Sequence, residues 1–214
     1  MRRRVIEIRQ DKAKTMADIV FADESFISIA LSLLGKAGVH VGSEIDIDIL
    51  KKQVEEDNFE KCYDAALHFL EYRARSEEEL KQHLLKKRKF DRVSVNRTVV
   101  KLKDLKLVDD VAFAELWLQD RLLYRPKSRM MIRRELIQKG VDNETASRIT
   151  EDVDDSESAY NTGLKKARLL HNLEYPEFYR RLAAYLGRRG YGGEVVHEAV
   201  KRAWQSISGN LTEK

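Results

Sequence analysis

Five histidines, one cysteine and two pairs of adjacent aspartates are the residues with which this chain of 214 could do chemistry. His40, His68, His83, His171 and His197 are scattered. No His-x-x-x-His or His-Glu-x-x-His pair sets two imidazoles on one helical face for a metal. Cys62 stands alone, which excludes an intramolecular disulfide and a cysteine zinc site. Asp109-Asp110 and Asp154-Asp155 are neighbours in the chain. On a helix such neighbours diverge by ~100°, so neither pair converges on one reacting atom. Both fall near expected helix starts, where an aspartate accepts orphan amides. Gly187-Arg188-Arg189-Gly190-Tyr191-Gly192-Gly193 lacks the Gly-Lys-Ser/Thr ending of a nucleotide loop and follows a helical pattern, not a strand. A helix stop and a turn account for its glycines, and its arginines remain able to meet a phosphate or a carboxylate. No catalytic, metal or cofactor site is expected.

Cations are better organised. Lys86-Lys87-Arg88-Lys89 is an unbroken run, further basic residues crowd positions 125–134, and Arg188-Arg189 repeat the theme. Cations at a helix C-terminus complement its negative end. That alone does not explain four in succession, nor their recurrence along the chain. The candidate partner- or DNA-binding residues are therefore Lys86, Lys87, Arg88, Lys89, Arg129, Arg133, Arg134, Arg181, Arg188 and Arg189. Phe113, Trp117 and Trp204 have apolar neighbours at helical spacing, and core packing is a better account of them than base stacking.

The elements that carry these residues repeat with a period of roughly fifty. Leu80/Leu84/Phe90, Ile132/Leu136/Val141 and Leu182/Leu186/Tyr191 share one apolar skeleton, with helical stretches before and after each. Each unit is then about three short helices, and tandem units favour gripping something long over enclosing a small substrate. Ser76-Glu77-Glu78-Glu79 reads as a capping box, and Ser128 as a second cap in which Met131 replaces the glutamate. Pro176 suits the first turn of the third equivalent helix, and Gly140 and Gly190 suit the stops of the second and third. The first of these helices ends at Lys89 instead, and its stretch Lys86-Lys87-Arg88-Lys89-Phe90 is one residue longer than its counterpart in the second unit.

The first fifty residues differ. Val5-Ile6-Glu7-Ile8-Arg9, Ala17-Asp18-Ile19-Val20-Phe21 and Phe26-Ile27-Ser28-Ile29 have strand character, with turns at Asp11-Lys12 and Asp23-Glu24. Gly35, Gly38 and Gly42 mark a loop before a short acidic helix over residues 47–56, and the first helix of the repeat is expected over 64–72. The expected fold is mainly α, three tandem three-helix modules in an elongated array with a small β-rich N-terminal extension. Its divisions are an extension over 1–57, modules over 58–107, 108–155 and 156–207, and a tail over 208–214. The apolar share, 43%, is ample for a core, while the charged share of 36% exceeds the roughly 25% usual for soluble domains. Forty Lys and Arg against 36 Asp and Glu leave a net charge of only +4, so the distribution of charge says more about partners than its sum. Nothing reads as a signal peptide or a membrane span, and a cytoplasmic protein is expected.

Asp64-Ala65-Ala66-Leu67 with Leu70-Glu71-Tyr72-Arg73-Ala74-Arg75-Ser76, then Glu79-Leu80 and Leu84, resembles the opening block of the RecX family of recombinase regulators. Leu107-Val108-Asp109-Asp110 with Phe113-Ala114, Trp117 and Arg121 resembles its second block. Pro126-Lys127-Ser128, Ile132, Glu135-Leu136 and Lys139-Gly140-Val141 continue that block. The likeness covers about residues 60–205, with the third module poorly patterned, and the N-terminal part is similar to an extension that some members carry. A monomer without cofactors is expected, and what the resemblance implies is a non-enzymatic protein that binds the RecA recombinase and its filament on DNA. It would modulate, chiefly inhibit, ATP hydrolysis, strand exchange and coprotease activity, in DNA repair, recombination and the SOS response. The alternative is a direct DNA-binding protein whose modules dock as helix-turn-helix-like units.

Overall fold

The computed structural model describes residues 1–12 and 15–209; of the expected tail over 208–214, the part from residue 210 on lies outside them. The chain divides into two compact units: Met1–Arg73 with Leu80–Leu105, and Ala74–Glu79 with the chain from Lys106 onward.

The first unit opens with strands β1 (Arg2–Gln10), β2 (Met16–Phe21) and β3 (Phe26–Ala30), as the alternating segments predict. A short β4 (Glu44–Asp46), which sequence reasoning missed, completes an antiparallel sheet of order β3-β2-β1-β4. Asp11 shapes the first turn, accepting from the Thr15 amide at 2.7 Å and the Met16 amide at 3.1 Å. Asp23 shapes the second, accepting from the Ser25 hydroxyl at 2.6 Å. Helix α1 (Leu31–Lys36) contains Gly35, whereas Gly38 and Gly42 have left-handed φ of 62° and 93° in the loop that follows. Val5, Ile19, Phe21 and Ile29 from the sheet bury against Ile47 and Leu50 of α2.

Helix α2 corrects the sequence reading. Residues 47–56 and 64–72 were expected as separate helices, but α2 is one helix of 25 residues, Ile47–Glu71. The change from acidic to apolar composition near Phe59 imitates a boundary. No glycine or proline lies between residues 47 and 71, so nothing breaks the backbone. The acidic stretch is a face of this helix: Glu56 takes a bidentate pair from Arg97 at 2.6 and 3.1 Å, and the same guanidinium lies 3.9 Å from the Phe59 ring centroid.

Helix α3 (Glu77–Gln82) runs on into a single π-helical turn, His83–Lys87, before α4 (Arg92–Asp104). That turn absorbs the extra residue of the first skeleton. The Arg88 amide reaches five residues back to the His83 carbonyl at 3.1 Å, which keeps Leu80 and Leu84 buried while lengthening the segment by one residue.

The second unit carries α5 (Asp110–Leu123), α6 (Arg129–Gln138) and α7 (Asn143–Ile149), then α8 (Asp155–Ala167), α9 (Tyr175–Gly187) and α10 (Gly193–Gly209). Helix α10 thus passes the expected start of the tail. The predicted skeletons are the cores. Ile132, Leu136 and Val141 bury with Phe113 and Ala114 in one cluster. Leu182, Leu186 and Tyr191 bury with Phe178, Val200 and Ala203 in the other. Trp204 packs edge-on to Phe178, with centroids 4.9 Å apart, so it belongs to the core as expected.

Candidate functional site

The first turn of α3 and the first turn of α6 are built alike and received alike. Ser76 Oγ accepts the Glu79 amide at 3.1 Å, and Ser128 Oγ accepts the Met131 amide at 3.3 Å. Each is the expected N-cap. The next residue in each case, Glu77 or Arg129, donates its amide to an aspartate of the following module: Asp110 at 2.8 Å and Asp155 at 2.7 Å. The aspartate pairs therefore divide their work. Asp109 caps the Val111 and Ala112 amides, and Asp154 caps those of Ser156 and Glu157. Their second members reach back to the module before. Sequence reasoning foresaw the caps and missed the reach, because it depends on neighbours far along the chain.

The stop of the following middle helix closes each joint. Ser76 Oγ donates to the Lys139 carbonyl, and the Ser128 amide donates to the equivalent Arg189 carbonyl at 3.0 Å. Gly140 (φ 90°) and Gly190 (φ 87°) come next, and a side chain at either would collide with the preceding module. A Cβ on Gly140 would overlap that of Glu78; one on Gly190 would stand 2.7 Å from Ser128 Oγ and 3.0 Å from Met131 Cβ. Lys89, the equivalent stop of the first repeat, has the same left-handed backbone, φ 59°, but as the first of its series it follows no earlier repeat. Glycine is thus needed twice for conformation and for closeness together.

Beside the first joint lies an ionic cluster. Glu135 accepts Trp117 Nε1 at 3.0 Å and Arg121 Nε at 2.6 Å, and pairs with Lys127. Burial pushes the Glu135 carboxyl up, but the hydrogen bonds from Lys127, Arg121 and Trp117 outweigh it and hold the group below its ordinary value. Arg121 is buried, with its guanidinium 4.0 Å from the Trp117 ring centroid. Lys139 Nζ lies 4.2 Å from that centroid and 2.6 Å from Glu79. This is a structural use of charge.

The candidate cations fall into separate groups. Lys86, Lys87, Arg88 and Lys89 are all exposed in the first unit. Arg129 and Arg133 line a groove with Arg148 in the second unit, but Glu144 and Glu151 line it too. Arg134 is exposed outside that groove. Arg181 pairs with Glu177 at 2.6 Å, and Arg180 and Arg181 together hold the Glu177 carboxyl down to about 2. Arg188 and Arg189 line a second groove with Arg125, Lys127 and Lys165, without any acidic residue. Arg188 is exposed, whereas Arg189 is half-buried, its guanidinium 3.7 Å from the Tyr185 ring centroid. Lys165 was not among the sequence candidates: an isolated pair of lysines at a helix end gives no signal until the fold sets it opposite Arg188. Among the described residues, no group of three or more His, Cys, Asp or Glu is placed to hold a metal ion.

A tandem array of three-helix repeats joined by duplicated contacts defines the class. Models of the RecX first, second and third three-helix domains match residues 62–102, 109–148 and 152–200 in that order, and the chain belongs to the RecX family. A regulatory protein RecX from Clostridium perfringens (strain 13 / Type A) is 30% identical over 189 residues, covering 86% of this chain and 88% of that one. A regulatory protein RecX from Bacillus velezensis is 31% identical over 206 residues, 92% of this chain and 76% of that one. Among solved structures, a regulatory protein RecX covers 92% of this chain and 98% of its own with a TM-score of 0.61 at 22% identity. RecX from Lactobacillus salivarius covers 69% and 97% with a TM-score of 0.59, also at 22% identity. At that identity the likeness speaks for the fold.

Proposed function

We propose that this chain regulates a RecA-type recombinase without chemistry of its own, by binding the recombinase filament on DNA and inhibiting its ATP hydrolysis, strand exchange and coprotease activity. The observation that carries the reading is the ordered match of all three RecX domains, together with relatives named as regulatory proteins. The placement of charge supports it. Lys86, Arg134 and Arg188, on the middle segments of successive modules, are all exposed. A filament on DNA presents acidic and phosphate surface at regular intervals, and several modest charge contacts along it add to a firm hold. In this reading the protein acts as a monomer in the bacterial cytoplasm, in DNA repair, recombination and the SOS response. No helix among the described residues is long and apolar enough to cross a membrane. A pull-down against recombinase filaments, with recombinase alone and bare DNA as controls, tests the reading. Retention on filaments well above both controls is expected; equal retention on bare DNA would leave the recombinase without a role.

A further inference from the structure

We infer that the chain pairs with a second copy of itself through strand β3, edge to edge, into one continuous sheet. This goes beyond filament regulation and gives the N-terminal extension a role, because it requires neither recombinase nor DNA. The sheet of order β3-β2-β1-β4 has two edges, and only one is guarded. Strand β4 is three residues long with Glu44 and Asp46 at its ends, and short charged strands deter pairing. Strand β3, Phe26-Ile27-Ser28-Ile29-Ala30, carries no charge, no proline and no bulge in its pairing with β2. Its first residue, Phe26, is 63% exposed. An edge of that kind is a template for another strand.

The hydrogen bonding of β3 fixes which groups that edge offers. The Phe21 amide donates to the Ser25 carbonyl at 2.9 Å, and the Leu31 amide to the Thr15 carbonyl at 3.0 Å. Residues that bond to the neighbour alternate in an antiparallel pair, so Ile27 and Ile29 also face β2. The backbone groups of Phe26, Ser28 and Ala30 therefore point away from β2. About a two-fold axis at Ser28 they meet their own kind. Ser28 exchanges two bonds with the second copy's Ser28, and each Ala30 amide donates to the other copy's Phe26 carbonyl, roughly four backbone bonds in all. Side chains match in the same register. Ile27 falls opposite the second copy's Ile29 on the buried face, and Phe26 opposite Ala30 on the exposed one, large against small. Asp18, which accepts from Ser28 Oγ, stands three strand spacings from its counterpart, about 14 Å, beyond the screening length of about 8 Å. This self-match selects a second copy over a foreign strand. A contact of five residues a side is far smaller than the roughly 20–30 of a stable interface, so the pair is weak. The monomer remains the form that acts on a filament, and the pair is a reserve that dissolves on dilution.

Sedimentation velocity of the full chain alone, from about 10 µM to about 1 mM, tests the pairing. The average mass should rise from that of a monomer towards twice that and no further, because the guarded β4 edges end the sheet. Ser28→Lys sets like charges face to face across the axis, yet stands opposite Asp18 within its own sheet, and should weaken pairing at least about tenfold. Ser28→Glu should do the same, and mixing the two variants should restore pairing, because the axis then joins opposite charges. If Ser28→Glu does not fold, Phe26→Lys should still weaken pairing severalfold through loss of the ring. Val93→Lys on α4, also at an exposed apolar position, should change nothing. In wild type the Ser28 and Ala30 amides should exchange with solvent more slowly at the high concentration than at the low one. A wild type that stays monomeric at the highest concentration overturns the inference. Pairing that survives both Ser28→Lys and Phe26→Lys, or association beyond a dimer, overturns it equally. Since neither recombinase nor DNA enters the assay, its failure leaves the regulator reading standing, and the converse holds too.

Discussion

Ser76 Oγ both accepts the Glu79 amide at the start of α3 and donates to the carbonyl of Lys139, 63 residues further on. At the second joint the same two tasks are split. Ser128 Oγ caps α6, but the bond to Arg189 comes from the Ser128 amide. The two serines, alike as caps, therefore differ in what alanine would remove.

Ser128→Ala should lose the cap alone, about 1 kcal/mol. Ser76→Ala should lose the cap and strand a carbonyl at a fully buried site, about 2–3 kcal/mol in all. Urea denaturation of both variants checks the order. Equal losses would mean that the Ser76–Lys139 bond contributes nothing.

Glycine should prove indispensable at the joints and dispensable at the first stop. Gly140→Ala combines a left-handed backbone with a collision at Glu78 and should cost more than about 2 kcal/mol. Lys89→Gly relieves the same backbone strain at an exposed position, and should be neutral or stabilise by up to about 1 kcal/mol. Thermal denaturation of the pair is the measurement.

Acid should act through Glu135. Its folded-state pKa is depressed, so its contribution is complete above the unfolded carboxylate value of 4.5 and is lost as pH falls through the lower folded value. Glu135→Gln should therefore destabilise at neutral pH and flatten the dependence of stability on pH below about 4.5. Stability measured from neutral to strongly acidic pH, for wild type and variant, shows whether the two curves converge in acid as expected.

Charge reversal should reveal binding shared among the modules. Lys86→Glu, Arg134→Glu and Arg188→Glu should each weaken filament binding severalfold, and the triple variant should nearly abolish it. Melting temperatures should barely move, since exposed charges contribute little to folding. A single reversal that carries the whole loss would contradict distributed binding.

The repeat was legible because burial writes itself into sequence. Leu80, Leu84, Ile132, Leu136, Leu182 and Leu186 recur at helical spacing because all six are fully buried. Caps and stops were legible for a local reason: Ser76, Ser128, Gly140 and Gly190 satisfy rules that span only a few residues. The continuity of α2 was hidden because a solvated acidic face and a helix boundary look alike in composition. The extra residue before Phe90 was visible as a count, but its resolution as a π-turn needed the backbone. The second roles of Asp110 and Asp155, and the meeting of Lys165 with Arg188 in one groove, depend on contacts between distant segments that no local pattern encodes.

The proposed restraint of a recombinase filament would need no catalysis by this chain. Steady-state ATP hydrolysis by RecA on single-stranded DNA, followed as the protein is added from well below stoichiometric amounts upward, tests it most directly. Hydrolysis should fall as protein is added, with no hydrolysis by the protein alone, and the triple reversal of Lys86, Arg134 and Arg188 should restore most of the rate. An unchanged rate at one protein per recombinase subunit, or ATP consumption by the protein itself, would contradict the account.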